Sequence, residues 1–232
     1  MTWSSTSSRY AVTGASCELV ASPTSRARRI DGLRAEGTDA LGRLLAELPD
    51  PPWDVAIAVG DPLVPPLNNL GFEPYGEVVT WVARVDLLRA APHVSGVTID
   101  PYRNEWADNF QEAERQALSE TTAFQQIGQP TGYEAAEGFD TFIVARRDGR
   151  IVGFAQAQLP EGWINWMGVL PDERRRGIGR LLVDAVARSI TKARGTHVGA
   201  EVDVSGPAPA MWRAVGASEK GRRVLLVKRG SR

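Results

Sequence analysis

The sequence has few of the residues that build disulfides and metal centres. Cys17 is its only cysteine, which excludes an intrachain disulfide and a thiolate zinc site. His93 and His197 are its only histidines, which argues against a histidine-rich metal site. We therefore expect a protein that works without a metal.

Long apolar runs and an excess of one charge are also missing. No run approaches the roughly 18 apolar residues that a membrane helix needs, and the first ten residues, MTWSSTSSRY, lack the apolar core of a secretory signal. Lys and Arg number 27 against 28 Asp and Glu, a balance that argues against a nucleic-acid partner. We expect a cytoplasmic protein with neither a membrane nor a nucleic-acid partner.

A length of 232 residues allows one large domain or two small ones. The stretch 86–96 contains Pro92 and Gly96 and is the best linker candidate, which predicts domains at 1–92 and 93–232. In the first domain, residues 24–48 read mostly as helix, and the apolar run 55–59 suits a buried strand.

The second domain alternates strand and helix patterns. Asp148-Gly149 is a two-residue hairpin signal between two strand candidates. Strands mixed with helices predict an α/β (α+β) fold with a mixed sheet. The predicted elements, in order, are a strand at 97–99, a helix at 103–119, strands at 141–146, 150–158 and 163–169, a helix at 178–192, a strand at 198–204, a helix at 208–215 and a strand at 223–228.

The segment 163–182, WINWMGVLPDERRRGIGRLL, carries the chemistry. A strand ends at Val169, and a helix opens at Gly177 and Gly179, which let a ligand approach the backbone closely. The first N–H groups of a helix lack internal partners, and the helix dipole adds positive charge there. Three consecutive arginines strengthen that field, so the segment predicts a pyrophosphate-binding site.

Shorter motifs leave the ligand open. A dinucleotide fold needs a third glycine where Leu182 stands, and the Gly-Lys-Ser/Thr of a P-loop is absent. Gly-x-Gly taken alone is a weak signal, with an ordinary strand-to-helix turn as the alternative.

The longer pattern Val169-x-Pro171-x-x-Arg174-x-x-Gly177-x-Gly179 resembles the acetyl-CoA signature of GNAT-superfamily N-acetyltransferases. The order of elements from 97 to 228 is similar to that of this family, and residues 208–217 resemble its closing motif. The resemblance implies a GNAT acyl-CoA N-acyltransferase fold in the C-terminal half.

The resemblance also implies cofactor contacts. Backbone groups of Met167 and Val169 would pair with the pantetheine arm, and the acetyl carbonyl would lie near Gly168, where a main-chain N–H could stabilise the oxyanion. Ser205 stands where the family often has an asparagine that contributes to the cofactor site. The residues that would hold the pyrophosphate, mainly through backbone N–H groups, are Arg174, Arg175, Arg176, Gly177, Ile178, Gly179 and Arg180.

The catalytic groups are less defined. The family often has a tyrosine near the thiolate where this chain has Trp212, whose indole cannot release a proton at neutral pH. Glu201 is our first candidate for the general base and Glu161 the second, with a solvated strand-end carboxylate as the alternative for either. Asn165, at a position where relatives place a base, cannot serve.

Acidic residues dominate the region that forms much of the acceptor wall in the family. An acidic wall favours a cationic amine, although a charged helix face is more often only its solvated side. Nearby aromatic residues could line an apolar slot or pack the core. The acids are Glu105, Asp108, Glu112, Glu114, Glu120, Glu134, Glu137 and Asp140, and the aromatics are Trp106, Phe110, Phe124, Tyr133 and Phe139.

The first half looks like a truncated copy of the same fold. Leu70-Gly71-Phe72 is similar to the terminal Leu-Gly-Phe motif of the family, but the Gly-x-Gly is missing. We interpret this half as a degenerate GNAT-like repeat, with an unrelated αβ cap as the alternative.

These observations predict an acetyl-CoA-dependent N-acetyltransferase, acting as a monomer or homodimer on a small cationic amine by direct attack in a ternary complex. The alternatives are acetylation of a protein N-terminal amine and a catalytically silent acyl-CoA-binding module.

Overall fold

The computed structural model describes residues 7–21, 28–119 and 141–230. The chain forms two compact units: the described residues of the first are 7–21, 28–78 and 222–230, and those of the second are 79–119 and 141–221. The domain boundary drawn from composition at residues 92 and 93 stays a prediction.

The first unit is a sheet with two helices. Its strands are β1 Ser7–Val12, β2 Ala15–Ala21, β3 Arg28–Ala35 and β4 Trp53–Ala58, and its helices are α1 Thr38–Glu47 and α2 Val64–Asn69. Strand β5 (Glu73–Arg84) begins in this unit and ends in the second. Buried leucines of α1 and α2 form its core with apolar residues of the strands.

The expectation of helix over most of 24–48 was wrong for its first part, because residues 28–35 form β3. This strand is bonded on both edges, to β2 in antiparallel and to β4 in parallel. Its buried Ile30 faces the core, while Arg28 and Asp31 are exposed. Pairing on two edges therefore outweighs the helical tendency of its charged residues.

The second unit contains the predicted mixed sheet. Its strands are β6 Thr98–Pro101, β7 Thr141–Arg147, β8 Arg150–Gln158, β9 Trp163–Val169 and β10 His197–Asp203, and its helices are α3 Ala107–Leu118, α4 Ile178–Lys192 and α5 Ala208–Ala214. Strand β11 (Ser218–Lys228) begins in this unit and ends in the first.

Strands β5 and β11 each have their first residues in one unit and their last residues in the other. The strand order is β1-β2-β3-β4-β11 in the first unit and β5-β10-β9-β8-β7-β6 in the second. Residues 223–228 of β11 pair antiparallel with β4. The series β1-β2-β3-α1-β4-α2-β5 repeats as β7-β8-β9-α4-β10-α5-β11, which agrees with the interpretation of the first half as a truncated repeat.

An aromatic cluster holds α3 against the sheet of the second unit. Phe110 is fully buried and packs edge-on against Tyr102, Phe142 and Phe154, with ring centroids 4.8 to 5.5 Å apart. None of the helices in the described ranges is long and apolar enough to cross a membrane.

Replacing Phe110 with alanine should remove the anchor of α3. We expect Phe110→Ala to lower the free energy of unfolding by about 3–5 kcal/mol, as for other buried aromatic residues. Leu87→Ala, at a side chain that is 67% exposed, should change it by less than about 0.5 kcal/mol. Urea unfolding followed by circular dichroism measures both, and equal effects would contradict this packing.

Candidate active site

Strands β9 and β10 run parallel but separate almost at once. Among their described residues the two strands are in register at one pair, Gly199 opposite Trp163. An irregularity in the β8–β9 ladder lies close by, because Gln156 pairs with Trp166 but Ala157 pairs with Ile164. Beyond this point the edge of β9 pairs with no described residue of β10, and we call the space beside it the gap.

The peptide groups of β9 alternate between β8 and this gap. Leu170 donates its N–H to the Val152 carbonyl of β8 at 3.0 Å. Because successive peptide groups of a strand point to opposite edges, the N–H and C=O groups of Met167 and Val169 point away from β8, into the gap. These are the backbone groups predicted to pair with a pantetheine arm.

The turn after β9 leads into α4 through two left-handed residues. Arg175 has φ +66° and Gly177 has φ +92°. A Cβ atom on Gly177 would lie 2.5 Å from Cγ of Pro92, whereas a Cβ on Gly179 would make ordinary contacts of 3.4 Å with Met167 and Met211. Gly177 is therefore needed for the fold of the turn, while the backbone at Gly179 is accessible.

The start of α4 leaves a run of backbone donors unpaired. Arg180 and Leu181 donate their N–H groups to the Gly177 carbonyl, but the five N–H groups of residues 175–179 bond to no described residue. No side chain caps this helix. Consecutive free N–H groups at a helix N-terminus form a site for an anion such as pyrophosphate.

The side chain of Arg174 holds the turn in place. Its Nε donates to the Val169 carbonyl at 3.2 Å and its Nη2 to the Ala117 carbonyl at 3.0 Å. Buried Glu173 forms ion pairs with Arg147 at 3.0 Å and with Arg176 at 3.4 Å. The guanidinium of Arg174 thus fixes β9 and the end of α3, while its backbone N–H donates to the Pro171 carbonyl at 3.4 Å.

Helix α3 lies directly on β9. A Cβ on Gly168 would be 2.8 Å from Cβ of Ala117 and 2.7 Å from the ring of Phe154. Only a glycine allows this approach, which brings the C-terminal half of α3 beside the position predicted for the acetyl carbonyl.

A buried carboxyl group lies on the same face of α3. Glu114 is 5% exposed and accepts a hydrogen bond of 2.7 Å from Nε1 of Trp166 on β9. Burial raises the pKa of Glu114 to about 7, while the indole N–H lowers it by a smaller amount. Sequence reasoning included Glu114 only as one of eight acids, although it falls between Phe110, Ala113 and Ala117 on the apolar stripe.

Gln156 is a second buried polar residue that sequence reasoning missed. It is fully buried on β8, and neither its amide nitrogen nor its amide oxygen has a hydrogen-bond partner in the part of the chain that the structure describes. It stands directly opposite Trp166 in the ladder, so the two side chains are on one face of the sheet.

The predicted catalytic residues lie elsewhere. Glu201 is half-buried on β10, where its Oε1 accepts a hydrogen bond of 3.3 Å from the Thr80 hydroxyl, and Glu161 is exposed in a turn. Trp212 is 1% exposed and belongs to the core of the second unit. The hydroxyl of Ser205 bonds to Asp203 at 2.6 Å. The roles assigned to these residues stay predictions.

The other described acids of the expected wall, Glu105, Asp108 and Glu112, are exposed. Glu105 lies 3.6 Å from Arg103, and Glu112 pairs with Arg115 at 2.6 Å. Phe110 is in the core and Trp106 packs partly against it. Glu120, Phe124, Tyr133, Glu134, Glu137, Phe139 and Asp140 lie outside the described residues.

No group of three or more His, Cys, Asp or Glu side chains is placed to hold a metal ion in the described ranges. The geometry consists instead of a parallel strand pair that opens beside a glycine-containing helix start. This arrangement offers backbone groups along a strand edge and an anion site at a helix start to an extended ligand that ends in phosphates.

Comparison with known proteins identifies the family. Residues 99–216 match the model of the Acetyltransferase (GNAT) family, and the chain belongs to this family. Membership supports acyl-CoA-dependent acyl transfer in general. A search of curated proteins found no match.

Solved structures with the same fold cover nearly the whole chain. A GCN5-related N-acetyltransferase from Sphaerobacter thermophilus has a TM-score of 0.67 at 19% identity, over 93% of this chain and 76% of its own. One from Kribbella flavida has a TM-score of 0.65 at 17% identity, over 97% and 91%. A tandem GNAT protein from the clavulanic acid biosynthesis pathway has a TM-score of 0.62 at 14% identity, over 94% and 80%.

The raised pKa of Glu114 predicts a pH-dependent stability. Unfolding returns the carboxyl to its ordinary pKa near 4.5, so between about pH 4.5 and 7 the folded state binds the proton more tightly. The contribution of Glu114 to the free energy of unfolding is complete below that window. It falls by up to about 3 kcal/mol as the pH rises through the window.

Urea unfolding of the wild-type protein and of Glu114→Gln at several pH values measures this contribution. We expect the difference in unfolding free energy between the wild-type protein and Glu114→Gln to change between about pH 4.5 and 7. The difference between the wild-type protein and Glu112→Gln should stay constant, because the Glu112 side chain is exposed and ion-paired. A constant difference in Glu114→Gln would contradict the burial of the carboxyl.

Proposed function

We propose that this protein transfers an acetyl group from acetyl-CoA to the primary amine of a small cationic molecule, by direct attack in a ternary complex. The observation that supports this most is that two sets of backbone groups lie close together and have no hydrogen-bond partner among the described residues. These are the N–H groups of Met167 and Val169 with the Met167 carbonyl on the gap side of β9, and the five N–H groups of residues 175–179.

The residues present fit acetyl-CoA in shape and chemistry. The pantetheine arm carries amides that can bond to the free edge of β9 as a strand would, and the pyrophosphate matches the anion site at the start of α4. When bound, the co-substrate supplies an acetyl thioester to the site. The chain's own residues orient that group beside Gly168 and exclude water through the packing of α3.

The preference for a cationic acceptor rests on Glu114. It is the one buried acid among the described residues of the region 104–140, and it lies on the α3 face beside β9. A carboxylate screened from water attracts an ammonium group more strongly than an exposed one does.

The burial of Trp212 favours a second candidate function. This residue stands where the family often has a tyrosine near the thiolate, and its indole lies in the core. A protein that binds acyl-CoA without transferring its acyl group would need no proton donor there. This candidate predicts tight binding of acetyl-CoA and no product with any amine.

Calorimetric titration with acetyl-CoA tests the cofactor site. We expect micromolar binding to the wild-type protein and at least ~10-fold weaker binding to Gly179→Trp, because the indole would cover the free N–H groups at a cost of about 1.4 kcal/mol or more. Gly221→Trp is the matched control, since no atom lies within 4 Å of a Cβ there. No binding to the wild-type protein would contradict the proposal.

Release of free thiol then tests transfer against a panel of amines. The protein itself should contribute little background, because burial raises the pKa of the single thiol, Cys17, to about 11. Thiol release that requires an amine supports the transferase, whereas binding without release supports the silent module.

A further inference from the structure

Three polar side chains are enclosed between α3 and the sheet of the second unit, and we call them the polar subsite. They are Glu114 on α3, Trp166 on β9 and Gln156 on β8. Glu114 and Trp166 are joined by their 2.7 Å hydrogen bond, and Gln156 stands across the ladder from Trp166.

The polar subsite contains hydrogen-bonding groups without partners among the described residues. Gln156 is fully buried, and neither its amide nitrogen nor its amide oxygen bonds to any of them. Leaving such an amide unsatisfied is costly in free energy. Glu114 accepts one hydrogen bond from these residues, at Oε1, which leaves its second oxygen to a further donor. An amide that can donate and accept, beside a carboxylate that can accept, matches an amine with a neighbouring hydroxyl.

The polar subsite adjoins the point of transfer. Trp166 is two residues before Gly168 on β9, and side chains two apart in a strand share a face. Ala117, one helical turn after Glu114, makes the contact that only a glycine at 168 allows. An acceptor nitrogen held by Glu114 therefore lies on the α3 side of β9, next to the acetyl position.

We propose that Glu114 accepts the proton of the acceptor ammonium, that Trp166 positions its carboxylate, and that Gln156 binds a hydroxyl next to the amine. The acceptor is then a primary amine of the amino-alcohol or amino-sugar class. This inference rests on the proposed function. It assigns Glu114 as the catalytic base in place of Glu201.

The Glu114 carboxylate takes one proton from the ammonium, and the freed electron pair of the nitrogen forms a bond to the acetyl carbon. The carbon–sulfur bond breaks, and its electrons leave with the sulfur. A second proton passes from the nitrogen to the thiolate, and Glu114 returns its proton to water. Each turnover gives one amide, one thiol and one proton.

The surroundings of Glu114 suit a base at neutral pH. Burial brings its pKa to about 7, which matches proton transfer from an amine under these conditions. Its neighbours on the facing strands, Trp166 and Gln156, are uncharged. The cations on or against α3 are engaged elsewhere: Arg115 pairs with Glu112 at the surface, Arg174 bonds to the Ala117 carbonyl, and Arg150 bonds to Gln116.

The indole N–H of Trp166 reports on Glu114 without turnover. In nitrogen-15 NMR of the wild-type protein alone, we expect the Trp166 indole signal, assigned by its loss in Trp166→Phe, to shift with a midpoint near pH 7. The shift should vanish in Glu114→Gln and persist in Glu112→Gln. An indole signal that does not titrate would overturn the role of Glu114.

Kinetics with matched acceptors test the base. With glucosamine, we expect Glu114→Gln to lose at least ~100-fold in kcat/KM, together with the limb of the pH profile near 7, while acetyl-CoA binds as before. Glu201→Gln should keep that limb. If the wild-type protein turns over and Glu114→Gln has the same kcat/KM, this inference alone is overturned. No wild-type turnover with any amine would overturn the proposed function as well.

The same acceptors test Gln156. We expect Gln156→Leu to raise the KM for glucosamine at least ~10-fold and to leave the KM for cyclohexylamine, a ring without hydroxyls, unchanged. If Gln156 had a purely structural role, the substitution would change the KM for both acceptors equally. That result would overturn the assignment.

Discussion

The separation of β9 from β10 after a single pair is the constraint on which the site depends. A strand inside a sheet normally bonds its peptide groups on both edges, and buried groups without partners are costly. Here the N–H groups of Met167 and Val169 and the Met167 carbonyl have no partner among the described residues of the second unit, and the unpaired N–H groups of residues 175–179 follow them along the chain. An extended ligand that ends in phosphates, as proposed above, would satisfy both sets of donors.

Close packing on both sides keeps this gap in place. On one side, Gly168 lets Ala117 of α3 reach β9, and Arg174 ties the two together through carbonyl groups at 3.0 and 3.2 Å. On the other side, Gly177 lets Pro92 approach the start of α4. In the first unit, β3 and β4 instead pair in parallel at three consecutive positions, from Arg28 to Ile30, so the corresponding strands do not part in the same way.

The sequence predicted the second unit better than the first because its signals there are local. The hairpin at Asp148-Gly149 needs two residues of positive φ, and both adopt it. Strand β3 was missed because its structure depends on pairing with β2 and β4, which a charged segment does not reveal. Glu114 could have been noticed from its place on the apolar stripe of α3, but Gln156 could not, since its burial opposite Trp166 follows from the ladder register alone.

The most direct test of this account is a backbone amide NMR titration of the protein with acetyl-CoA. The account predicts that the largest shifts belong to the amides of residues 167–169 and 175–179, and that the amides of the first unit change little. Large shifts confined to the first unit, or spread without preference over the chain, would contradict the claim that the gap beside β9 is the acyl-CoA site.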